Sequence, residues 1–189
     1  MPAPRRPKQL VDVVHDSEVL RDNPLGDPAT REFPVYLPPQ YTEQPDRRFP
    51  TCWLLAGYTG WAGMKAKKER AWEESLPDQL DRLMMSDGDD ALEPMIVVFP
   101  DCFTRFGGSQ FRNSPSTGQY EDYLIKELVP FVDGRFRTLA DRSHRAVLGK
   151  SSGGYGAMII IAPMSRPLLL RLLSNASMKP CAPPYLRSA

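Results

Sequence analysis

The chain has 189 residues, a formal net charge of +1 and 41% hydrophobic residues. That length supports one domain with a real core, the near-neutral charge gives no reason to expect a nucleic-acid partner, and no apolar stretch is long enough to predict a membrane span. Two histidines and three cysteines (Cys52, Cys102, Cys181) fall in no metal-ligand spacing. This predicts no cofactor and a reduced, cytoplasmic protein whose thiols serve as small apolar groups.

Residues 1–8 are proline-rich and basic with no apolar core behind them, so they read as a disordered arm and not as a secretory signal. Residues 11–20 and 32–37 read as strands on either side of a turn-rich stretch at 21–28, which predicts an antiparallel ribbon ahead of the main sheet. His15, in the first of these strands, is expected to be a surface or packing residue. Residues 51–56 form a continuous apolar run, the pattern of a strand covered on both faces. It leads into Gly57-Tyr-Thr-Gly60-Trp-Ala-Gly63. Three glycines there would let the backbone turn its amides towards a ligand; a plain strand-to-helix turn is the alternative.

The basic stretch with Lys65, Lys67, Lys68 and Arg70 reads as a solvated face. Ser75 and Pro77 predict a helix start, serine at the cap and proline in the first turn, with Leu80, Leu83 and Met84 as its core stripe. Residues 95–99 form the next buried strand, and a polar, glycine-rich loop follows at 103–118. Asp101, at the strand's end, is expected to hold loop amides by hydrogen bonds, a functional role in the loop being the alternative. From Glu121 the chain reads as helix, with Leu124, Leu128, Phe131 and Val132 on one face and a bend at Pro130. The alternation of strand and helix over 51–162 predicts right-handed crossovers and a mostly parallel α/β sheet.

The stretch that organises the rest is Ala146-Val-Leu148 followed by Gly149-Lys-Ser151-Ser-Gly153. A buried strand breaks at a glycine-flanked serine and continues as helix, which is the context a nucleophile elbow requires, an ordinary glycine-rich turn being the alternative. The serine would sit on a strained turn, and the glycines would let strand and helix approach. Gly149-Lys-Ser151 also matches the end of a phosphate-binding loop. That motif needs a glycine five residues before Gly149, and His144 stands there.

Residues 33–160 resemble the esterase family of α/β hydrolases that includes S-formylglutathione hydrolases, feruloyl esterases, enterochelin esterases and mycobacterial mycolyltransferases. The resemblance rests on Val35-Tyr-Leu-Pro-Pro-Gln-Tyr41, Leu54-Leu-Ala-Gly-Tyr-Thr-Gly60, Val97-Val-Phe-Pro-Asp101, Gly107-Gly-Ser-Gln110, Tyr120-Glu-Asp-Tyr-Leu124, Phe136-Arg-Thr138 and Gly149-Lys-Ser-Ser-Gly-Gly-Tyr-Gly-Ala157. Ala56-Gly57 stands where family members usually carry His-Gly. The resemblance implies a three-layer α/β-hydrolase fold and a small-molecule ester or thioester substrate. It implies Ser151 as nucleophile, with the backbone amides of Tyr58 and Ser152 holding the oxyanion.

A serine nucleophile needs a base, and the base needs an orienting acid. In this fold both follow the serine in the chain. Here no acidic residue comes after Asp141, and His15 and His144 both precede Ser151. His144 opens the strand that ends at the elbow, roughly 20 Å away along it. Residues 163–189 hold five prolines, four basic residues and no second strand–helix pair. The organisation expected is therefore an α/β-hydrolase domain at 9–162, incomplete at its C-terminal side, and an atypical tail at 163–189. The function expected is a serine esterase with very weak or no activity, or else a non-catalytic binding or regulatory homologue. Self-association through an exposed sheet edge is also expected.

Overall fold

The computed structural model describes residues 10–64, 66, 72 and 74–164. The arm at 1–8, the basic stretch at Lys65, Lys67, Lys68 and Arg70, the apolar run at 168–173 and Cys181 lie outside the described residues.

Five strands make the main sheet: β1 (Leu10–Asp16), β2 (Thr30–Tyr36), β3 (Thr51–Leu55), β4 (Ile96–Val98) and β9 (Arg145–Gly149). Two short ladders, β5 (Phe103–Thr104) with β6 (Gly107–Gly108) and β7 (Asn113–Ser114) with β8 (Gly118–Gln119), shape the long loop after β4. The helices are a single turn α1 (Gln40–Glu43), α2 (Leu76–Met84), α3 (Tyr120–Asp122), α4 (Val129–Arg135) and α5 (Ser152–Met164). The strand order is β1-β2-β4-β3-β9. β4, β3 and β9 run parallel, while β1 pairs β2, and β2 pairs β4, antiparallel. The N-terminal ribbon is thus continuous with the parallel strands through β2.

β1 is shorter than its apolar pattern predicts. Ser17 closes a turn, its Oγ accepting from the Leu20 amide at 3.2 Å, and the chain leaves the sheet there. Val19 and Leu20 are apolar because they pack beside the sheet, Leu20 being fully buried.

Side-chain alternation sorts the core into two faces. Val13, Phe33, Val35, Trp53, Leu55, Ile96, Val98 and Val147 point to one side, against Tyr120, Tyr123, Leu124, Leu128, Val132 and Ile160. Tyr36, Cys52, Val97, Phe99 and Ala146 point to the other, against Met84 with Leu76 and Leu80 of α2. A sheet covered on both faces is why its central strands read as unbroken apolar runs. α2 begins with a capping box between Ser75 and Asp78, and Pro77 lies in its first turn.

Residues 120–135 form one helical stretch, and its middle, Tyr123–Leu128, is π-helical. Pro130 follows after Val129. Proline has no amide to donate, and the widened turns before it redistribute the hydrogen bonds, the Val129 amide reaching Leu124 O. The stripe Leu124, Leu128 and Val132 is buried as its spacing predicts.

β9 is the outermost strand among the described residues. Its apolar residues do not all face solvent, as an uncovered edge would suggest. Ala146 and Val147 are buried, and Leu148 is the exposed one, at 41%.

Candidate active site

Ser151 sits between β9 and α5 with φ +57°, a left-handed conformation that a non-glycine residue rarely adopts. The glycines around it are sterically required. A Cβ on Gly149 would lie 2.3 Å from the carbonyl carbon of Gly153, and one on Gly153 would lie 2.3 Å from the carbonyl oxygen of Leu55. Strand, helix and neighbouring strand therefore meet at van der Waals contact around the serine. The turn is closed by Gly153 N to Lys150 O and Tyr155 N to Ser151 O, both 3.0 Å, and Ser151 itself is exposed.

The parallel register pairs Leu55 with Gly149, so the loop after β3 lies beside the elbow. Gly57 there comes within 3.8 Å of Lys150 O, measured from where its Cβ would be. Gly60 N donates to Gly57 O at 3.0 Å, which folds the loop so that Tyr58 stands exposed at its tip. Among the described residues, the amides of Tyr58 and Ser152 donate to no turn or loop carbonyl. Ser152 opens α5, where a helix leaves its first amides without internal partners.

A third segment, the loop after β4, closes the site. Gly108 packs so tightly on the Tyr58 backbone that a Cβ would lie 3.0 Å from Tyr58 O, and Gly107 (φ +107°) packs on the Tyr58 ring. Further along, Gln110 accepts a 2.9 Å hydrogen bond from Ser152 Oγ. The base of the loop is tied by Asp101. Its carboxylate accepts from the Phe103 amide at 3.2 Å and from Arg31 Nη1 at 3.1 Å. Asp101 thus does hold a loop amide.

Sequence reasoning missed its partner, Arg31, which is 5% exposed. Arg31 also donates to Phe103 O at 2.8 Å and to the Tyr120 hydroxyl at 2.6 Å. Burial alone would lower its pKa. The facing Tyr120 and Asp101 outweigh that and hold the guanidinium above its ordinary value.

Neither histidine approaches the serine. His15 lies on β1, four strands from β9, where it packs on Phe131 with ring centroids 4.8 Å apart and sits 3.4 Å from Glu127. His144 is exposed in a one-turn helix before β9, at the end opposite the elbow, with Ser143 and Asp141 beside it. Cys52 and Cys102 are buried and free, and burial pushes the Cys52 thiol up to about 12. A cavity of about 460 Å³ opens nearby between Asp27, Arg31, Trp61, Asp101, Phe103 and Arg105. Ser151, Ser152 and Tyr58 do not line it. Among the described residues no cluster of His, Cys, Asp or Glu could hold a metal, and no helix is long and apolar enough to cross a membrane.

A family profile described as Putative esterase matches residues 28–167. Over 134 residues the chain is 29% identical to an endo-1,4-beta-xylanase/feruloyl esterase of Xylanibacter ruminicola, covering 67% of this chain and 17% of that protein. Over 71 residues it is 34% identical to Esterase Rv1288 of Mycobacterium tuberculosis, covering 35% of this chain and 15% of that protein. Among solved structures it resembles a ferulic acid esterase with TM-score 0.68 and 26% identity, across 84% of this chain and 56% of that one. The chain thus spans less than a fifth of these curated relatives and about half of that structure.

Proposed function

Because the chain belongs to the Putative esterase family, we propose that it is a serine hydrolase of carboxylic esters or thioesters, with Ser151 as the nucleophile. Ser151 Oγ attacks the acyl carbonyl, its proton passing to solvent water and from there to the leaving group, and the amides of Tyr58 and Ser152 take the oxyanion of the tetrahedral intermediate. Collapse expels the alcohol or thiol and leaves an acyl group on Ser151, which water then removes. The observation that carries this reading is the backbone of Ser151, at φ +57° and flanked by two glycines at which a Cβ would meet backbone atoms at 2.3 Å. Strain of this kind in a non-glycine residue persists only where surroundings over-determine it, and it concentrates at functional sites.

The chain holds neither acid nor histidine after Ser151. A positioned serine and oxyanion donors without their base still leave roughly 10³–10⁴-fold catalysis over water. Turnover of p-nitrophenyl acetate by this chain is therefore faint and unchanged by His144→Ala. The second reading is a non-catalytic homologue that uses the cleft around Ser151 for binding or regulation.

A serine-reactive phosphonate separates the two. Labelling at Ser151 well above the rate of free serine supports the hydrolase. An unlabelled Ser151, or a biological effect that survives Ser151→Ala, supports the binding protein. Robust turnover abolished by His144→Ala would overturn the assignment of that histidine to the far end of the strand.

A further inference from the structure

Residues 107–111 touch both walls of the elbow cleft at once. On one side Gly107 and Gly108 grip the ring and carbonyl of Tyr58. On the other, Gln110 accepts from Ser152 Oγ, and Phe111 packs so closely on α5 that a Cβ on Gly156 would lie 2.3 Å from its ring. Between these grips Gln110 and Phe111 both adopt left-handed backbone, φ +57° and +56°. Two adjacent non-glycine residues in that region are unusual and costly. They are supported by Ser109, which is buried, receives the Phe111 amide on its Oγ at 3.2 Å and donates its own amide to Cys102 O at 3.2 Å. The strained pair aims the Gln110 side chain at Ser152, 42 residues away in sequence.

We propose that residues 107–111 form a strap that sets the spacing of the Tyr58 and Ser152 amides, with Gln110 as the positioning residue that holds Ser152. This rests on the reading that those two amides receive the oxyanion. A serine in the first turn of a helix otherwise folds its hydroxyl back onto first-turn amides. Donation to Gln110 ties the Ser152 side chain to the loop instead, and with it the helix start that carries the Ser152 amide. The glycine pair on the opposite side fixes the other wall through Tyr58 O. A single loop thereby couples two donors that belong to different strand–helix units.

The test is ¹⁵N relaxation on the full chain, in wild type, Gln110→Ala, Gln110→Glu and Ser152→Ala. In Gln110→Ala the order parameters of the Ser152 and Tyr58 amides fall from about 0.85 to below about 0.6, while those of Trp53 and Val147 hold. Gln110→Glu, with the same reach and an acceptor oxygen, restores wild-type values. Ser152→Ala, which breaks the same bond from the helix, loosens Ser152 equally and decides the matter if Gln110→Ala does not fold. Rigid Ser152 and Tyr58 amides in these variants, or loosening that extends equally to Trp53 and Val147, would overturn the strap. Phosphonate labelling of Ser151 is followed in the same samples. It slows about tenfold in Gln110→Ala, less than the ~10²–10³ of losing an oxyanion donor outright. A wild-type chain that takes no label would sink the nucleophile reading, while the order parameters would still judge the strap.

Discussion

The carbonyl oxygen of Leu55 lies 2.3 Å from the point where a side chain on Gly153 would begin. The first turn of α5 therefore rests directly on the end of β3, with no room for a methyl group. Gly153→Ala must push helix and strand apart, an overpacking cost of about 3 kcal/mol. For a chain of this size that lowers the melting temperature by roughly 6–12 °C. Gly134, in α4, has nothing within 4 Å of its Cβ position. There the same substitution removes only unfolded-state freedom and stabilises by about 0.4–1 kcal/mol. Differential scanning calorimetry of the two variants checks both signs. An unperturbed Gly153→Ala would mean that the elbow is looser than its contacts imply.

At Ser151 itself the backbone and the hydroxyl can be separated. Ser151→Ala and Ser151→Gly both lose the hydroxyl, so on the proposed reading neither takes a phosphonate label. Only glycine relieves φ +57°, which costs other residues roughly 1–2 kcal/mol. Part of that gain is offset by the freer unfolded chain of a glycine variant. Ser151→Gly is expected to be the more stable of the two by about 0.5–1 kcal/mol in urea unfolding. Equal stabilities would show that the elbow carries no backbone strain.

Much of the backbone geometry around Ser151 was legible in the sequence, because a strand–turn–helix junction is a local device. Gly149, Ser151 and Gly153 are defined by spacing within one turn, and the strand and helix around them have clear periodicity. Both faces of the sheet were likewise legible in the unbroken apolar runs at 51–56 and 95–99. What escaped the sequence depends on distant pairings. Arg31 lies in an N-terminal strand, and its partners are far off in sequence, Asp101 being 70 residues on. Gln110 looks like an ordinary loop residue, and nothing in its neighbours announces a left-handed conformation aimed at Ser152. The overextended first strand failed for a related reason. Val19 and Leu20 are apolar because of what they pack against, while the local Ser17 turn decides the backbone.

The Arg31–Asp101 pair supports a test of what buried charge does here. Asp101→Ala strands a guanidinium that is 5% exposed, and such a loss costs about 3–5 kcal/mol. Arg31→Met removes the buried charge itself and leaves the less buried Asp101, so it is expected to cost less than ~1.5 kcal/mol. Urea titration gives both values. Hydrogen exchange should report faster opening of 103–118 in Asp101→Ala, since the Phe103 amide loses its acceptor as well. Equal costs for the two variants would mean that the pair stabilises by its attraction, and not merely by keeping the arginine from standing alone.

The outer side of β9 is a sheet edge among the described residues. No described strand pairs there, and a free strand edge is a template for association. Burial of Ala146 and Val147 by the helices on the two faces does not change this, because the edge amides and carbonyls point sideways, in the plane of the sheet. Leu148 adds an exposed apolar side chain beside them. We expect the purified chain to self-associate and to elute in size-exclusion chromatography at a multiple of its own mass. Leu148→Lys places a charge on the edge, the device by which natural sheets discourage such pairing, and should shift elution towards the monomer. Because Leu148 is 41% exposed, the substitution should leave the melting temperature of the monomer nearly unchanged. A wild-type chain that runs as a sharp monomer with strongly protected β9 amides would mean that the edge is already covered, by residues outside those described.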